Sequence, residues 1–498
     1  MIRELFEEAC EQKDVRGLLS EMRQELREYP GEMAECTATD MLQQMIRWME
    51  HEDAKTRKNA ALLLGDVQEA VGDDDTCLVS DALWNAYYRE QTLFVRSSYL
   101  KSLKLYDCSK YQEEMQKQLQ TLCEGNYETT DLKHIRQERK ELEEILQQLG
   151  DAPMHTFARL DRPYDILLVS NKCVREELQR QITDKSLLVP FGVRVQTQDV
   201  DALMDKRLFR EMLFYIPLAK GTVLSEECAG RVLAESGLLS FLQNVHEKSD
   251  APFYFRLEIK GRLEEMQRRN LLKKISFEIE EYSHHQLRNS PGNYEVEIRL
   301  MQRKDGTYGA FAKLSTIADY RFTYREHVEP TSLSPYVAAE IVELARPYLM
   351  EEAQIIDPFC GVGTLLIERN KAVRARVNYG IDIYGTAIKG ARVNSELAGL
   401  QVNYINRDYF DFTHEYLFDE VIADFPRLYK ESREEISEFY QHFFEKTDEI
   451  TTEEATLILY TNEEGQIKKY LRLNKQFQLV KQMNIQKKDF LFVIKKKG

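Results

Sequence analysis

A glycine-containing segment and three later carboxylates have the residue types and spacing needed to bind a nucleoside. The segment Asp357–Thr364 carries Gly361 and Gly363 in a Gly-x-Gly turn. Glycines let the backbone turn tightly, and the N–H groups of a following helix attract electronegative ligand atoms. The third glycine of a dinucleotide fingerprint is replaced by Leu366, and no Lys-Ser/Thr pair follows as in a phosphate-binding P-loop. These two differences argue against NAD and ATP.

The three carboxylates each come shortly after a short apolar run. Asp382 lies 19 residues after Gly363, where a carboxylate can accept hydrogen bonds from both hydroxyls of a ribose. Asp408 precedes Tyr409, so it could accept a hydrogen bond from an adenine amino group beside an aromatic ring. Asp424 begins a fourth segment, Asp-Phe-Pro-Arg. The set predicts a nucleoside pocket with a further hydrogen-bond acceptor beside it.

The elements that must position these residues alternate between strand and helix over residues 331–498. The strand segments are apolar throughout, which is typical of a parallel sheet covered by helices on both faces. Right-handed crossovers place the loops that follow such strands along one edge of the sheet. We therefore predict a C-terminal α/β Rossmann-like domain with the four segments together at that edge.

Residues 1–150 have helical periodicity and a repeat of about 40 residues. Tripeptides ending in Arg16, Arg57, Arg96 and Arg136 recur at intervals of 41, 39 and 40 residues, and each is followed by a helical run. This period is typical of HEAT-like helical repeats, with an irregular helical bundle as the alternative. Residues 151–330 mix short strands and helices, which predicts a central α+β module. The chain is therefore expected to be multidomain.

The net charge of −16 is unevenly distributed: −12 in residues 1–150, zero in residues 151–330 and −4 in residues 331–498. Nucleic-acid-binding proteins typically have a basic domain, and these parts do not. The eight cysteines form no Cys-x-x-Cys pair, so we expect free thiols and no metal site. No apolar run approaches the ~18 residues of a membrane span, and the start lacks a signal-peptide pattern, so we expect a cytoplasmic protein without membrane contact.

The segments DPFCGVGTLLIER and YGIDIYGTAIKGARVNSELAGL resemble those of class I S-adenosylmethionine-dependent methyltransferases. The similarity is greatest to the THUMP-containing tRNA guanine-N2 methyltransferases and the large-subunit rRNA guanine methyltransferases, and it covers about residues 318–430. The central module resembles their ferredoxin-like and THUMP region only weakly. The helical repeats have no counterpart there.

This resemblance implies S-adenosylmethionine as cofactor and assigns the site residues. The glycine loop would hold the methionine moiety, Asp382 the ribose, and Asp408 with Tyr409 the adenine. The implied cofactor-binding residues are Asp357, Phe359, Gly361, Gly363, Thr364, Asp382, Ile383, Asp408 and Tyr409, and the implied catalytic residues are Asp424, Phe425 and Pro426. The family has an aromatic residue where this chain has Arg427, and the next aromatic residue is Tyr429.

The implied function is methylation of an exocyclic base amine in structured RNA, with guanine N2 of tRNA or rRNA as the expected target. Residues 151–330 would help to place the RNA, and the helical repeats would dock a protein partner. Two alternatives remain open at this stage. The same acceptor loop suits an amine of protein or DNA, and Arg427 also allows a catalytically degenerate scaffold that only binds the cofactor.

Overall fold

The computed structural model describes residues 2–11, 15–31, 37–125, 127–128, 130–149, 155–219, 221–249, 251–486 and 488–497. The chain divides into two compact units, the first made of residues 1–154 with 283–286 and the second of residues 155–282 with 287–498. The predicted boundary at 150/151 lies outside the described residues. Among the described residues, no helix is both long enough and apolar enough to cross a membrane.

The described part of the first unit contains eight helices. They are α1 (Ile2–Glu11), α2 (Arg16–Glu28), α3 (Thr39–Trp48), α4 (Ala54–Asp66), α5 (Asp73–Arg89), α6 (Leu93–Leu103), α7 (Gln112–Glu124) and α8 (Leu132–Gln148). The even-numbered helices pack in succession, α2 on α4, α4 on α6 and α6 on α8. Each of these four helices carries one of the repeating arginines near its start. The repeat in the sequence is therefore a repeat of helix pairs.

Two of these arginines join consecutive helix pairs. Arg57 donates to both carboxylate oxygens of Glu90, over 2.8 and 2.9 Å. Arg96 donates to Glu138 over 2.8 Å, and that carboxylate also accepts from the Tyr87 hydroxyl over 2.7 Å. Because Glu138 is fully buried, its charge needs this pairing.

The second unit begins with an eight-stranded mixed sheet. Its strands are β1 (Tyr164–Val169), β2 (Ser186–Val189), β3 (Gly192–Thr197), β4 (Glu211–Tyr215), β5 (Phe253–Lys260), β6 (Leu287–Asn289), β7 (Val296–Gln302) and β8 (Tyr308–Leu314), in the order β2-β3-β1-β4-β8-β7-β5-β6. Its helices are α9 (Arg175–Arg180), α10 (Ala229–Ala234), α11 (Leu238–Val245) and α12 (Glu265–Tyr282). Strands and helices are both present, as the α+β prediction requires. The ferredoxin-like or THUMP-like identity of this module stays a prediction.

The second unit continues into a seven-stranded sheet with helices. The elements are α13 (Pro335–Ala345), β9 (Gln354–Asp357), α14 (Thr364–Ala372), β10 (Val377–Asp382), α15 (Gly385–Leu397), β11 (Asn403–Asn406), β12 (Phe418–Asp424), α16 (Arg433–Ile450), β13 (Thr451–Thr461), α17 (Glu464–Leu473), β14 (Phe477–Gln486) and β15 (Asp489–Lys496). The strand order is β11-β10-β9-β12-β13-β15-β14. The pairs from β11 to β13 are parallel, and β15 is antiparallel to both of its neighbours.

This sheet is buried on both faces. Ile356, Val421 and Leu457 face one apolar cluster, and Ile355, Ile422 and Ile458 face the other. Neighbouring residues of one strand thus enter opposite cores, which explains why the strand segments are apolar throughout and do not alternate with polar residues. The Rossmann-like α/β architecture predicted for the C-terminal part is present.

The two sheets belong to one compact unit, and a partly buried ion pair joins them. Arg207, from the first sheet's module, donates to both carboxylate oxygens of Glu368 on α14, over 2.8 and 2.6 Å. The Tyr324 hydroxyl donates to the same carboxylate over 2.6 Å. The predicted domain boundary at residues 330/331 lies between these two packed sheets. The boundary stays a prediction.

Candidate functional site

The strand order brings the four predicted segments to one edge of the second sheet. β11, β10, β9 and β12 are consecutive and parallel, so their carboxyl ends lie side by side. Asp382, Asp357 and Asp424 are the last residues of β10, β9 and β12. The chain reverses its direction of winding between β9 and β12, which is where open α/β sheets form their ligand crevice.

The glycine loop needs both of its glycines because both have positive φ. Gly361 has φ of 51° and Gly363 has φ of 83°, in the left-handed region that favours glycine. A Cβ on Gly363 would collide with the Tyr404 hydroxyl, whereas a Cβ on Gly361 would meet no atom within 4 Å. Gly363 is thus required by packing, and Gly361 borders open space.

Asp382 ties the glycine loop to the next strand. Its Oδ2 accepts from the backbone N–H of Gly361 over 2.9 Å, and its Oδ1 accepts from that of Tyr384 over 2.8 Å. Ile383, beside it, is 59% exposed. An ionised carboxylate has about four acceptor positions, so these two bonds leave room for ribose hydroxyls.

Asp357 and Thr364 are buried at the two ends of the glycine loop. Asp357 accepts from the backbone N–H of Phe359 over 3.0 Å. Burial raises the pKa of Asp357 well above its usual range, and the charges of Asp424 and Asp382 raise it further. The Thr364 hydroxyl, at the start of α14, has no hydrogen-bond partner among the described residues. Asp357 therefore binds the backbone of the glycine loop from a buried position.

Asp408 and Tyr409 are neighbours in the chain, but Asp408 lies at the surface and Tyr409 lies in the core. Asp408 is exposed and accepts from the backbone N–H of Phe410 over 3.0 Å. Tyr409 is only 1% exposed, and its hydroxyl lies 2.9 Å from that of Thr447. In this structure the Tyr409 ring packs in the core, and its predicted contact with an adenine stays a prediction. Its contact with the half-buried Phe359 instead supports the glycine loop from the core side.

Asp424 has the only buried, unpartnered carboxylate oxygen among the described aspartates. Its Oδ1 has no hydrogen-bond partner in the part of the chain that the structure describes. Burial raises the pKa of Asp424 to about 7, the nearby Arg427 opposes this rise, and Asp489 adds to it. A carboxylate with such a pKa is both an acceptor and a competent base near neutral pH.

The rest of the fourth segment holds this carboxylate in place. Phe425 is 2% exposed, stacks on Tyr440 at 4.9 Å, and its N–H donates to the Tyr460 carbonyl over 2.9 Å. Pro426 is exposed. Phe425 is thus an anchor in the core, and Pro426 lies at the surface of the loop.

Arg427 binds side chains that are distant from it in the sequence. Its Nη1 donates to Asp489 over 2.8 Å and to Asn462 over 3.1 Å, and its guanidinium lies over the Tyr460 ring at 5.4 Å. Asp489 belongs to a strand 62 residues later, so no local pattern could have indicated it. Tyr429, by contrast, is 80% exposed.

These features fit S-adenosylmethionine. The open space above Gly361 provides a cradle that a side chain would fill, and the free acceptor positions of Asp382 suit a ribose. The exposed Ile383 offers an apolar surface next to that carboxylate. Gly361, Asp382 and Ile383 would hold the cofactor. Among the described residues, no group of three or more His, Cys, Asp or Glu side chains could hold a metal ion.

Comparison with known proteins agrees with this geometry. The family described as "RMKL-like, methyltransferase domain" matches residues 323–491. The curated "Type II methyltransferase M.MvaI" of Kocuria varians is 35% identical over 66 residues, which are 13% of this chain and 13% of that protein.

Solved structures are similar over a longer range at low identity. The crystal structure of TrmN from Thermus thermophilus is 16% identical and covers 67% of this chain and 99% of its own, with a TM-score of 0.48. SMU.472, described as a putative methyltransferase complexed with SAH, is 13% identical and covers 68% and 99%, with a TM-score of 0.49.

The family match, the strand order and the glycine loop with its paired carboxylate agree with one another. Residues 323–491 therefore form an S-adenosylmethionine-dependent methyltransferase domain that is similar to the family described as RMKL-like.

Proposed function

We propose that this protein methylates an exocyclic base amine in structured RNA, with guanine N2 of tRNA or rRNA as its target. The observation that carries the proposal is the free Oδ1 of Asp424 at the end of β12, beside the ends of β9 and β10. A buried acceptor without a partner is unfavourable unless a ligand supplies the donor. An amine N–H is such a donor.

The chemistry explains why an amine needs this carboxylate. The lone pair of a guanine amino group is delocalised into the ring, so the nitrogen is a poor nucleophile. Asp424 and a neighbouring backbone carbonyl can accept its two hydrogens, which favours a tetrahedral nitrogen with an available lone pair. When bound, S-adenosylmethionine supplies the methyl group from its sulfonium. Holding the amine in line with that group is worth up to ~7–11 kcal/mol of the barrier.

The fate of the proton also points to Asp424. The amine gains one methyl group and gives up one proton. Since the pKa of Asp424 is raised to about 7 by burial, this carboxylate can take the proton near neutral pH. Phe425, stacked on Tyr440, keeps the carboxylate at the end of β12.

The remaining assignments follow from the same proposal. Gly361, Gly363, Thr364, Asp382 and Ile383 surround the cofactor, Asp408 lies at its adenine end, and Asp357 and Phe359 support the loop from below. We assign residues 331–498 to catalysis and residues 151–330 to placing the RNA. Residues 1–150 form a HEAT-like array that docks a protein partner, supported by the repeated stacking of α2, α4, α6 and α8.

The test is transfer of radiolabel from S-adenosylmethionine to bulk RNA from cells in which the gene is deleted. The purified full chain should place the label on a nucleoside that comigrates with N2-methylguanosine. The Asp424→Asn variant should bind S-adenosylmethionine as tightly as the unmodified chain, by calorimetry, and lose transfer at least ~100-fold. Unchanged transfer by this variant would overturn the role of Asp424.

The same assay separates the alternatives. Label that survives nuclease treatment of a labelled lysate lies on protein, and label removed only by a DNA-specific nuclease lies on DNA. The absence of transfer to any of these, with cofactor binding intact, would indicate a scaffold. Each of these results contradicts the proposal for RNA.

A further inference from the structure

Two carboxylates share one guanidinium in the loop that would receive the amine. Arg427 donates from Nη1 to Asp489 over 2.8 Å, while its Nη2 lies 3.9 Å from Oδ1 of Asp424. The first distance is a hydrogen bond and the second is longer than one. Arg427 therefore acts on Asp424 by charge alone and leaves its Oδ1 without a hydrogen-bond partner.

This arrangement suits the task that the proposed function gives to Asp424. An acceptor for an amine must be ionised, yet its lone pairs must not be occupied by another donor. A cation in hydrogen-bond contact would satisfy the first requirement and violate the second. A guanidinium held just beyond hydrogen-bond distance favours the ionised carboxylate and leaves its lone pairs unoccupied. The Coulomb interaction persists at 3.9 Å in a partly buried site.

Arg427 is held at this distance by three side chains. Asp489 at the start of β15 and Asn462 after β13 bind the same Nη1, and the Tyr460 ring of β13 lies 5.4 Å from the guanidinium carbon. The side chain is 26% exposed. A guanidinium with these contacts is not available to stack on a target base.

We propose that Arg427 is a positioning residue which, anchored by Asp489, favours the ionised form of Asp424 and leaves its Oδ1 free for the substrate amine. The inference rests on the proposed function, because it concerns how Asp424 accepts the amine. Under this proposal Arg427, which stands where the family has an aromatic residue, acts electrostatically on Asp424. A different residue then stacks on the target base.

The charged and titratable groups that face Asp424 come from every element around it. They are Arg427 in its own loop, Asp489 on β15, Asp357 on β9, Tyr460 on β13 and Tyr440 on α16. Burial raises the pKa of both tyrosines above their usual range, so they are neutral at working pH. In this set of groups, the charge of Arg427 lowers the pKa of Asp424, whereas burial and the nearby carboxylates raise it.

The proposal predicts opposite effects for two substitutions that break the same ion pair. Arg427→Gln removes the cation, so the Asp424 titration should move to higher pH, by about one unit or more. Asp489→Asn removes a like charge and leaves the cation, so the titration should move to lower pH. Arg427→Lys keeps the charge and should shift the titration less than Arg427→Gln does.

The titration is measured in the full chain without cofactor, by carbon-13 NMR of aspartate labelled at the side-chain carboxyl. The Asp424 signal is assigned by its loss in Asp424→Asn. The acid limb of the methyl-transfer rate on bulk RNA is measured in parallel, with cofactor affinity by calorimetry as the test of folding. Arg23→Gln, which breaks an ion pair with Asp66 in the first unit, outside the residues assigned to catalysis and to placing the RNA, is the matched control and should move neither readout.

Opposite shifts of the titration, followed by the acid limb of the rate, support the role of Arg427. Shifts in one direction, or none, in variants that still bind the cofactor would overturn it. Should Arg427→Gln fail to fold, Arg427→Lys and the rate of Asp489→Asn still decide. Arg427→Lys should leave the Asp424 titration near that of the unmodified chain, and the acid limb of Asp489→Asn should follow its titration to lower pH. A large upward shift in Arg427→Lys, or an acid limb that stays in place in Asp489→Asn, would overturn the role. Normal transfer by Asp424→Asn would instead show that the proposed function is wrong, whatever the titrations give.

Discussion

The backbone N–H of Gly361 donates to Oδ2 of Asp382 over 2.9 Å and so joins the loop after β9 to the end of β10. One carboxylate thereby fixes the loop proposed for the methionine moiety, and its remaining acceptor positions would serve the ribose in the proposed site. The glycine loop and the end of β10, the two parts of the proposed nucleoside site, both depend on Asp382.

Filling the space above Gly361 should abolish cofactor binding without unfolding the protein. Gly361→Arg costs about 1–2 kcal/mol for a side chain at positive φ, and its Cβ meets no atom of the described residues within 4 Å, so the substitution causes no clash at the backbone. Gly399→Arg is the matched control, since Gly399 also has positive φ and an open Cβ but lies after α15, away from the loop. Calorimetry should show loss of S-adenosylmethionine binding only for Gly361→Arg, and equal loss in both would contradict the site.

Asp382→Asn should weaken cofactor binding. A hydrogen bond to a charged group contributes about 1.5–3 kcal/mol, so the Kd for S-adenosylmethionine should rise roughly 10- to 100-fold. Asp424→Asn is the comparison, because it removes a carboxylate from the same sheet edge without touching the glycine loop. Equal affinities in the two variants would show that the ribose is held elsewhere.

The raised pKa of Asp424 predicts how stability depends on pH. Burial raises this pKa to about 7, whereas an aspartate in the unfolded chain titrates near ~4. Between these values the folded state binds more protons than the unfolded state, so this group lowers the free energy of unfolding as pH rises, and the full loss is reached above about pH 7. Asp424→Asn should therefore gain stability over the unmodified chain above pH 7 and little near pH 4, measured by thermal or denaturant unfolding.

Asp305→Asn gives the control of opposite sign for that experiment. Hydrogen bonds from the side chain and backbone of Thr307 lower the pKa of Asp305. Its ionised form stabilises the fold above the unfolded pKa, and the Asn variant should be the less stable one at neutral pH. A common pH trend in both variants would contradict the assignment to Asp424.

Tyr429 is the aromatic residue that we expect to stack on the target base. It is 80% exposed and lies two residues after Arg427, whose own guanidinium is already bound. Stacking of a base on an aromatic ring is worth about 1–3 kcal/mol, so Tyr429→Ala should lower kcat/KM for RNA roughly 5- to 150-fold. The affinity for S-adenosylmethionine should be unchanged. Tyr429→Phe should keep most of the activity.

Tyr416→Ala is the matched control for this prediction. Tyr416 is 63% exposed in the same domain but precedes β12, at the opposite edge of the sheet from Asp424. Its removal should leave transfer to RNA unchanged. A similar loss in both variants would point to a general effect of exposed rings.

The local sequence was sufficient to predict the C-terminal sheet and the place of its carboxylates. Apolar runs that end in Asp357, Asp382 and Asp424 indicate strands, and the topology of parallel strands then requires their ends to meet. The positive φ of Gly361 and Gly363 also agrees with what the Gly-x-Gly turn indicates. These features depend on residues that are neighbours in the chain.

The tertiary structure decided which of these side chains are exposed at the sheet edge and which are buried in the core. Tyr409 follows Asp408 directly, yet packing against Phe443 and Thr447 of α16 turns its ring into the core. Arg427 occupies the expected aromatic position, and Asp489 binds it from a strand 62 residues away. Burial and ion pairing of this kind depend on contacts between distant segments, so no pattern within one segment could have predicted them.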